Sequence, residues 1–229
     1  ETAQKKQTQF IASASHELRT PLAVVRSGLE SVEKCSNEEE RNHFLHLMSE
    51  ETVHMKRLID DMLLLANSDA DTLTIKPEAC QPDLLLLDTY EKFETLAKKN
   101  GLHLILTLPE EILPDCFCDI HRTEQIFSII VDNALCYTPS GGKVTLSCHA
   151  ENEMLCFLFE DTGCGISEEK KSHIFERFYR ADDAHTDREH FGLGLCIAKE
   201  LTEKQNGNIQ VVDAPISGSC FMVQLPCAL

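Results

Sequence analysis

Apolar side chains recur at alternating intervals of four and three residues between Phe44 and Leu65. The positions are Phe44, Met48, Glu51, Met55, Leu58, Met62 and Leu65, with Glu51 as one acidic interruption. This heptad period is typical of a helix that packs lengthwise against another helix. Ser36 followed by Glu39 has the spacing of a capping box, which predicts that this helix begins there after a short turn.

A second amphipathic helix is predicted over residues 10 to 33. At 100° per residue, one apolar stripe lies within about 40° of Leu18. The stripe contains Ile11, Ala14, Leu22, Val25, Leu29 and Val32. His16 falls about 160° from Leu18, Thr20 lies on the same outer face, and Pro21 is expected to bend the helix. Two antiparallel helices cannot bury both stripes alone, so residues 1 to 70 are predicted to dimerise into a four-helix bundle.

The pattern changes after residue 70. Short apolar runs alternate with helical patterns, which predicts that residues 71 to 229 form a separate mixed α/β domain. The predicted strands cover residues 102–108, 116–119, 144–150, 154–160, 209–213 and 219–225. The predicted helices cover residues 83–99, 122–137 and 192–205.

The acidic composition limits the partners that this chain can bind. It has 38 Asp and Glu residues against 21 Lys and Arg residues, for a formal net charge of -17. Nucleic acids and anionic membrane surfaces are bound through clustered Lys and Arg side chains. We therefore expect no nucleic acid partner, and a protein or a small ligand fits better.

The eleven cysteines are scattered along the chain without a CxxC pair. This spacing favours a reducing cytosol and does not favour a metal site, and most of these thiols are interpreted as small core hydrophobes. No apolar run approaches the roughly 18 residues of a membrane span. A cytoplasmic location is therefore expected, and any membrane anchor of the parent protein would lie in a segment absent from this chain.

Three residues between Ser15 and Leu22, in the run SHELRTPL, have the chemistry of a phosphoacceptor site. The imidazole of His16 can attack phosphorus only when one ring nitrogen is unprotonated, and an adjacent acid can accept the proton from the other nitrogen. Glu17 is placed for that role, and Thr20 could position a water for hydrolysis. The alternative is an ordinary solvent-facing histidine.

Two downstream runs have the residue types of a nucleotide pocket. In DTGCGI, the carboxylate of Asp161 can accept a hydrogen bond from an exocyclic amine, while Gly163 and Gly165 let the backbone approach a flat ring. GLGL, from Gly192 to Leu195, leads into a helix whose first amides can meet phosphate oxygens. Taken alone, each run could instead be a plain turn.

SHELRTPL, DTGCGI and FGLGLCIAKEL together resemble the transmitter region of bacterial sensor histidine kinases, and the resemblance extends almost from end to end. It implies a helical hairpin that dimerises into a four-helix bundle, followed by the α/β sandwich shared with the gyrase, Hsp90 and MutL ATPases. The implied reaction uses ATP and Mg²⁺ to phosphorylate His16, with Glu17 as general base and Thr20 assisting a phosphatase reaction. The phosphoryl group would pass to an aspartate of a response regulator receiver domain. The parent protein would be anchored in the bacterial membrane.

The resemblance also implies the residues of the ATP site. Asp161 would bind the adenine amine, Asn133 would coordinate Mg²⁺, and Tyr137 would lie near the phosphates. Either Arg177 or Arg180, within IFERFYRADD, could reach the phosphates, and Phe175 and Phe178 of the same run would pack the base of a nucleotide lid. The remaining pocket residues are Gly163, Gly165, Ile166, Gly192, Leu193, Gly194 and Leu195.

Three departures from the family pattern concern the phosphate side. Ile129 replaces an asparagine, Cys136 replaces a basic residue, and Glu189 with His190 replaces a glycine pair. A lost charge-assisted hydrogen bond is worth about 1.5–3 kcal/mol, so phosphoryl transfer is expected to suffer more than nucleotide binding. The alternative function is an ATP-binding regulatory or phosphatase-biased transmitter with weak autokinase activity. A gyrase-like ATPase would leave SHELRTPL unexplained.

Overall fold

The computed structural model describes residues 2–180, 191–214 and 218–228. The helices are α1 (Thr2–Lys34), α2 (Glu38–Asp69), α3 (Pro82–Lys99), α4 (Ile120–Tyr137), α5 (Glu168–Lys171) and α6 (Gly194–Glu203). The strands are β1 (Glu78–Cys80), β2 (His103–Thr107), β3 (Cys116–Cys118), β4 (Lys143–Glu151), β5 (Met154–Asp161), β6 (Asn208–Asp213) and β7 (Ser219–Pro226). None of the helices in these ranges is both long enough and apolar enough to span a membrane.

The chain divides into two compact units. The helical unit contains Glu1–Leu73 and Arg177–Leu193, and the α/β unit contains Thr74–Glu176 and Gly194–Leu229. A helical hairpin followed by an α/β domain is the architecture that the sequence predicts. The assignment of separate functions to residues 1–70 and 71–229 stays a prediction.

The turn between α1 and α2 differs from the predicted capping box. Asn37, not Ser36, is the N-cap of α2, and its side-chain oxygen accepts a hydrogen bond from the Glu39 backbone N–H at 2.9 Å. An Asn side chain at the N-cap satisfies one of the free amides of the first turn. The three glutamates of that turn, Glu38 to Glu40, also complement the positive end of the helix dipole. Sequence spacing identified the right turn and the wrong capping residue.

The seam predicted on α2 is confirmed, because its seven positions are buried or half-buried. Of the stripe predicted on α1, Ala14 is buried, whereas Ile11, Leu22 and Leu29 are 55% to 58% exposed, which agrees with the prediction that a single hairpin cannot bury its stripes alone. Among the described side chains of α1, the buried positions are Ala14, Pro21 and Gly28, which recur every seven residues. These small residues let α2 come close, and a Cβ built on Gly28 would lie 2.6 Å from the Met48 Cγ atom. Helix α1 continues through Pro21.

The α/β unit is built on a five-stranded mixed sheet with the order β2-β4-β5-β7-β6. Strands β2 and β4 are parallel, and the other neighbours are antiparallel. Strands β4 and β5 form a hairpin in which Glu151 pairs with Met154. The two turn residues, Asn152 and Glu153, have positive φ angles of 49° and 62°, as a type I′ turn requires.

Helices α3, α4 and α6 cover the sheet, and α4 contacts both of the others. The Phe127 ring on α4 lies 4.8 Å from the Phe157 ring and 4.9 Å from the Phe159 ring, both on β5. All three side chains are fully buried. This aromatic cluster is the centre of the core, and it fixes α4 above the strand that ends at Asp161.

The predicted strands and helices of this unit are confirmed, with ends that differ by at most two residues. Helix α6 begins at Gly194 and not at Gly192, because Gly192 has a left-handed φ of 71°. Two short elements were not predicted, α5 and β1. Strand β1 pairs antiparallel with β3, with Cys80 opposite Cys116. The backbone of Cys116 also forms an isolated antiparallel β-bridge with that of Cys227, and both thiols are free.

Candidate functional site

His16 lies on the exposed side of α1, as predicted. Its side chain is 76% exposed, and its Nδ1 atom lies 3.8 Å from the Glu17 Oε1 atom. Thr20 is exposed one turn further along the helix. The acid therefore faces the Nδ1 atom of the ring, and the Nε2 atom lies on the opposite side of the ring.

Asp161 occupies the last position of β5 and is only 4% exposed. Its Oδ1 atom accepts hydrogen bonds from the backbone N–H groups of Gly163, at 2.8 Å, and Ser219, at 3.2 Å. Burial raises the pKa of this carboxyl group, and the two amide hydrogen bonds oppose that shift. The result is a fixed hydrogen-bond acceptor in a largely dry environment, which is suited to one directed donor.

Gly163 and Gly165 have a role in backbone packing that the sequence did not reveal. A Cβ built on Gly163 would lie 2.5 Å from the Tyr137 carbonyl oxygen. Gly165 has a φ of 73°, and a Cβ there would lie 3.1 Å from the Gly218 carbonyl oxygen. Both glycines therefore hold the DTGCGI turn against neighbouring backbone. Close approach to a bound ring stays a prediction.

Two elements meet at the predicted phosphate side. A Cβ built on Gly194, the first residue of α6, would lie 3.1 Å from the Ile129 Cγ2 atom on α4. Asn133 lies one turn along α4 and donates from Nδ2 to the Ile129 carbonyl oxygen at 2.9 Å. The structure thus places Ile129 beside the start of α6, and a phosphate at this place stays a prediction. Tyr137, at the end of α4, is 43% exposed.

Arg177 has a partner that the sequence did not indicate. Its two terminal nitrogens donate to the two carboxylate oxygens of Asp69, at 2.9 and 2.7 Å. The guanidinium carbon also lies 5.3 Å from the centre of the Phe10 ring, which packs 5.6 Å from the Phe178 ring. Contact between Arg177 and a phosphate would require this bidentate pair to open.

The other predicted residues lie in the turn after β5 and in the segment from Phe178 to the first turn of α6. Gly192 accepts a hydrogen bond from the Phe178 backbone N–H at 2.9 Å. Leu193 is buried, Arg180 is exposed, and Ile166 and Leu195 are half-buried. Glu189 and His190 lie outside the described residues.

Comparison with known proteins assigns both units. Residues 6–71 match the His Kinase A (phospho-acceptor) domain, and residues 118–229 match the histidine kinase-, DNA gyrase B- and HSP90-like ATPase family. The sensor histidine kinase RppB of Synechocystis sp. is 34% identical over 226 residues, which are 97% of this chain and 49% of RppB. The chain belongs to the sensor histidine kinase family. It spans about half the length of this curated relative.

Solved histidine kinases share the fold. A full-length ShkA structure in complex with AMPPNP is 26% identical, with a TM-score of 0.74 over 96% of this chain and 46% of ShkA. The histidine kinase ThkA, in complex with the response regulator protein TrrA, has a TM-score of 0.76 at 19% identity, over 96% of this chain and 61% of ThkA. The predicted family and architecture are therefore confirmed.

The ATP and Mg²⁺ implied by the histidine kinase family fit the residues of the α/β unit. Asp161 is a buried acceptor of the type that an adenine amine requires. Asn133 uses its amide nitrogen within α4, so its carbonyl oxygen is the end suited to a hard cation. Mg²⁺ is usually held by few protein oxygens together with waters and substrate phosphates, and one Asn oxygen is consistent with that.

Proposed function

We propose that this chain is the ATP-dependent core of a dimeric histidine kinase that phosphorylates His16 and transfers the phosphoryl group to an aspartate of a response regulator. The observation that carries the proposal is the exposed His16 imidazole with the Glu17 carboxylate 3.8 Å from Nδ1. This arrangement supports Nε2 as nucleophile and Glu17 as proton acceptor. Thr20 assists hydrolysis of a phosphoryl group on the partner, one turn from His16.

The reaction balances as a phosphoryl transfer. The Nε2 atom of His16 forms a bond to the γ-phosphorus of ATP, the bond to the β–γ bridging oxygen breaks, and ADP leaves. Glu17 accepts the proton from Nδ1, which prevents a positive charge from building up on the ring as Nε2 bonds to phosphorus. Catalysis then rests on positioning and charge neutralisation. A side-chain rotation must first shorten the 3.8 Å separation to hydrogen-bond distance.

The α/β unit binds the nucleotide in this proposal. Asp161 accepts a hydrogen bond from the adenine amine, and Mg²⁺ on Asn133 supplies charge neutralisation at the phosphates. Tyr137 and the N-terminal amides of α6, at Gly194 and Leu195, contact the phosphate side. The remaining pocket residues are Gly163, Gly165, Ile166, Gly192 and Leu193, and Arg177 or Arg180 adds positive charge.

The proposed protein partners are a second copy of this chain and a response regulator. The exposed apolar residues Ile11, Leu22 and Leu29 of α1 support a homodimer through residues 1–70. The ThkA–TrrA complex supports a response regulator receiver domain as the phosphoryl acceptor. We place this part of the protein in the cytoplasm, consistent with eleven free cysteines, and a membrane anchor in another part of the protein.

One observation favours the alternative of a phosphatase-biased or regulatory transmitter. Ile129 presents a branched apolar side chain beside Gly194, at the start of α6, where a polar side chain would serve polyphosphate better. A methyl group can neither ligate a cation nor donate to a phosphate. Under this alternative ATP still binds, and autophosphorylation is slow.

Incubation with γ-labelled ATP and Mg²⁺ distinguishes the two proposals. The kinase incorporates acid-labile, base-stable label on the protein, and His16→Gln abolishes that label while ATP affinity and folding stay unchanged. Glu17→Ala serves as a second variant and should slow the single-turnover rate without changing ATP affinity. ATP binding without label in the parent protein would support the regulatory alternative. Label that persists in His16→Gln would refute the assignment of the phosphoacceptor.

A further inference from the structure

Three cysteines that are far apart in sequence meet on one face of the small β1–β3 sheet. The Sγ atoms of Cys80, Cys116 and Cys118 all lie within 4.8 Å of one another, and those of Cys80 and Cys118 are 3.4 Å apart. Cys80 lies opposite Cys116 in the antiparallel register. Because side chains alternate between the faces of a strand, Cys116 and Cys118 point to the same side. The cluster is therefore a product of the strand pairing.

The spacing of the three sulfurs matches that of a thiolate metal site. Zinc–sulfur bonds of about 2.3 Å in tetrahedral geometry place neighbouring sulfurs about 3.8 Å apart. The observed upper limit of 4.8 Å and shortest distance of 3.4 Å bracket that value. A soft metal ion could therefore be bound with side-chain shifts of about 1 Å or less.

The surroundings of the cluster also suit a cation. Asp115 directly precedes Cys116, and Asp119 directly follows Cys118. The thiolate is the form that binds metals, and a bound cation would offset the negative charge that thiolates add beside these two carboxylates.

The cluster itself supplies three sulfurs. The backbone of Cys116 forms an isolated β-bridge with that of Cys227, but the Cys227 sulfur does not belong to the group whose ligand atoms all lie within 4.8 Å of one another. Cys116 and Cys118 are fully buried, whereas Cys80 and Cys227 are half-exposed. An ion can therefore reach the site from its outer side, and the inner two sulfurs are shielded from solvent.

We propose that Cys80, Cys116 and Cys118 form a binding site for a soft metal ion such as Zn²⁺, with a water molecule as the fourth ligand of the tetrahedral set. Each thiol loses its proton to solvent when the metal–sulfur bond forms. The ion fastens β1, the first strand of the α/β unit, to β3. Strand β3 leads directly into Asp119, whose side chain accepts from the Arg122 N–H and caps α4.

Metal binding is therefore expected to stabilise the N-terminal end of α4, the helix that carries Asn133. The segment before β1 is joined to the same place, because the Lys76 backbone N–H donates to the Asp119 carboxylate at 2.9 Å. Removal of the ion should thus lower the melting temperature of the α/β unit. It leaves the residues of the proposed nucleotide site chemically unchanged.

Cobalt titration of the reduced, chelator-treated full chain tests the site. We expect one Co²⁺ per chain, with the near-ultraviolet absorption of thiolate-to-cobalt charge transfer, and displacement of that signal by Zn²⁺. Zn²⁺ should also raise the melting temperature. Cys80→Ser should weaken Zn²⁺ binding by about a hundredfold, since it removes one thiolate. Cys118→Ser should have a similar effect, and circular dichroism checks that both variants fold.

Cys156→Ser is the matched control, because Cys156 belongs to a second group of possible ligands with His149 and Glu151. It removes a buried thiol of the same unit, and it should leave the cobalt spectrum unchanged. Loss of the signal in Cys156→Ser with retention in Cys80→Ser would overturn the proposal. So would a Cys80–Cys118 disulfide, detected by thiol alkylation and mass spectrometry, in protein kept under reductant and free of metal.

Discussion

The two units of this histidine kinase bury their apolar side chains to very different extents. In the α/β unit, Phe127, Phe157 and Phe159 are completely buried. In the helical hairpin, comparable apolar residues are 43% to 58% exposed. They are Ile11, Leu22 and Leu29 on α1 and Leu45, Ile59 and Leu63 on α2. The core of the α/β unit is complete within one chain, whereas that of the hairpin is not.

The exposed residues of the hairpin form a continuous second stripe on each helix. At 100° per residue, Ile11, Leu22 and Leu29 lie about 20–40° to one side of Leu18, and the buried small residues of α1 lie about 40–80° to the other side. The stripe of buried small residues makes the contact between α1 and α2. The stripe of exposed apolar residues is a second surface, which is available for contact with another chain. Since both helices have such a stripe, a second copy of the hairpin fits it.

Breaking that second surface gives the largest expected effect. Leu22→Glu combined with Leu63→Glu should make the chain monomeric, because each substitution acts twice in a symmetric dimer. Burial of a leucine is worth about 1.5–3 kcal/mol, so four lost contacts correspond to roughly 6 kcal/mol or more. Analytical ultracentrifugation across a concentration series measures the change.

Ile112→Glu is the control for this experiment. Ile112 is 99% exposed in the α/β unit, and its substitution should leave the oligomeric state unchanged. Monomeric parent protein at all concentrations, or an undisturbed dimer in the double variant, would contradict the second-surface interpretation.

Because the core of the α/β unit is complete within one chain, we expect a core substitution to destabilise this unit without any dependence on a second chain. Phe127→Ala removes the ring that packs between Phe157 and Phe159, and it should destabilise this unit by about 3–5 kcal/mol. The loss should not depend on protein concentration. Urea unfolding followed by near-ultraviolet circular dichroism tests this, and Phe117→Ala, at a site 44% exposed, is the control. A concentration-dependent loss would show that this core also needs a second chain.

Sequence periodicity predicted the fold where contacts are local or regular. The α2 seam and the strands of the sheet follow from spacing alone, because each residue's face is set by its own element. Periodicity did not show which part of the α1 stripe contacts α2. The small residues Ala14, Pro21 and Gly28 are buried there because they allow the two helices to approach closely, although larger apolar residues lie beside them.

The parts of the candidate site that sequence missed depend on contacts between distant positions. Asp69 and Arg177 are 108 residues apart, and no local pattern pairs them. Cys80 meets Cys116 and Cys118 through β1, which is only three residues long and too short for a periodic signal. The sequence therefore predicted no metal site among these cysteines. The pairing of β1 with β3 is what brings their three sulfur atoms together.

A half-buried carboxylate on α2 and a buried one in the α/β unit sharpen the comparison between the units. Burial, with a smaller effect from Asp60 and an opposing one from Arg57, raises the pKa of Asp61 on α2 from 3.8 to about 6. Between these values the folded state binds more protons than the unfolded state, so stability falls as pH rises through this window. The penalty is complete above about pH 7 and amounts to at most about 3 kcal/mol.

Asp61→Asn should therefore stabilise the hairpin by about 1–3 kcal/mol at pH 8. The gain should fall to about half at pH 5, since the parent carboxyl is then mostly protonated in the folded state and must take up that proton on folding. Thermal unfolding of both proteins at the two pH values measures the difference. A gain that is equal at both values, or larger at pH 5, would show that the charge of Asp61 is not the cause.

Asp161 is the corresponding buried carboxylate of the α/β unit, and it has two amide donors that oppose the effect of burial. Asp161→Asn should weaken adenosine binding by about 1.5–3 kcal/mol, because an amide can present a donor where the purine amine needs an acceptor. Calorimetry with adenosine and ATP measures the loss. In the parent, adenosine affinity should also fall in acid, with a midpoint above the ordinary pKa of 3.8. Equal affinities in variant and parent would exclude Asp161 as the adenine acceptor.

The smallest expected effect concerns the contact that sets the α1 face. Gly28→Ala gains about 1 kcal/mol of helix propensity, but the added Cβ would lie 2.6 Å from the Met48 Cγ atom and 2.8 Å from its Sδ atom. Methionine is flexible and can move, so the net change in the parent should stay within about 1 kcal/mol. In a Met48→Ala background the obstruction is absent, and the full gain of about 1 kcal/mol should return. A double-mutant cycle by urea unfolding at one fixed protein concentration measures this coupling. Additive effects would mean that Gly28 is not needed for close approach, and the buried face of α1 would then require another explanation.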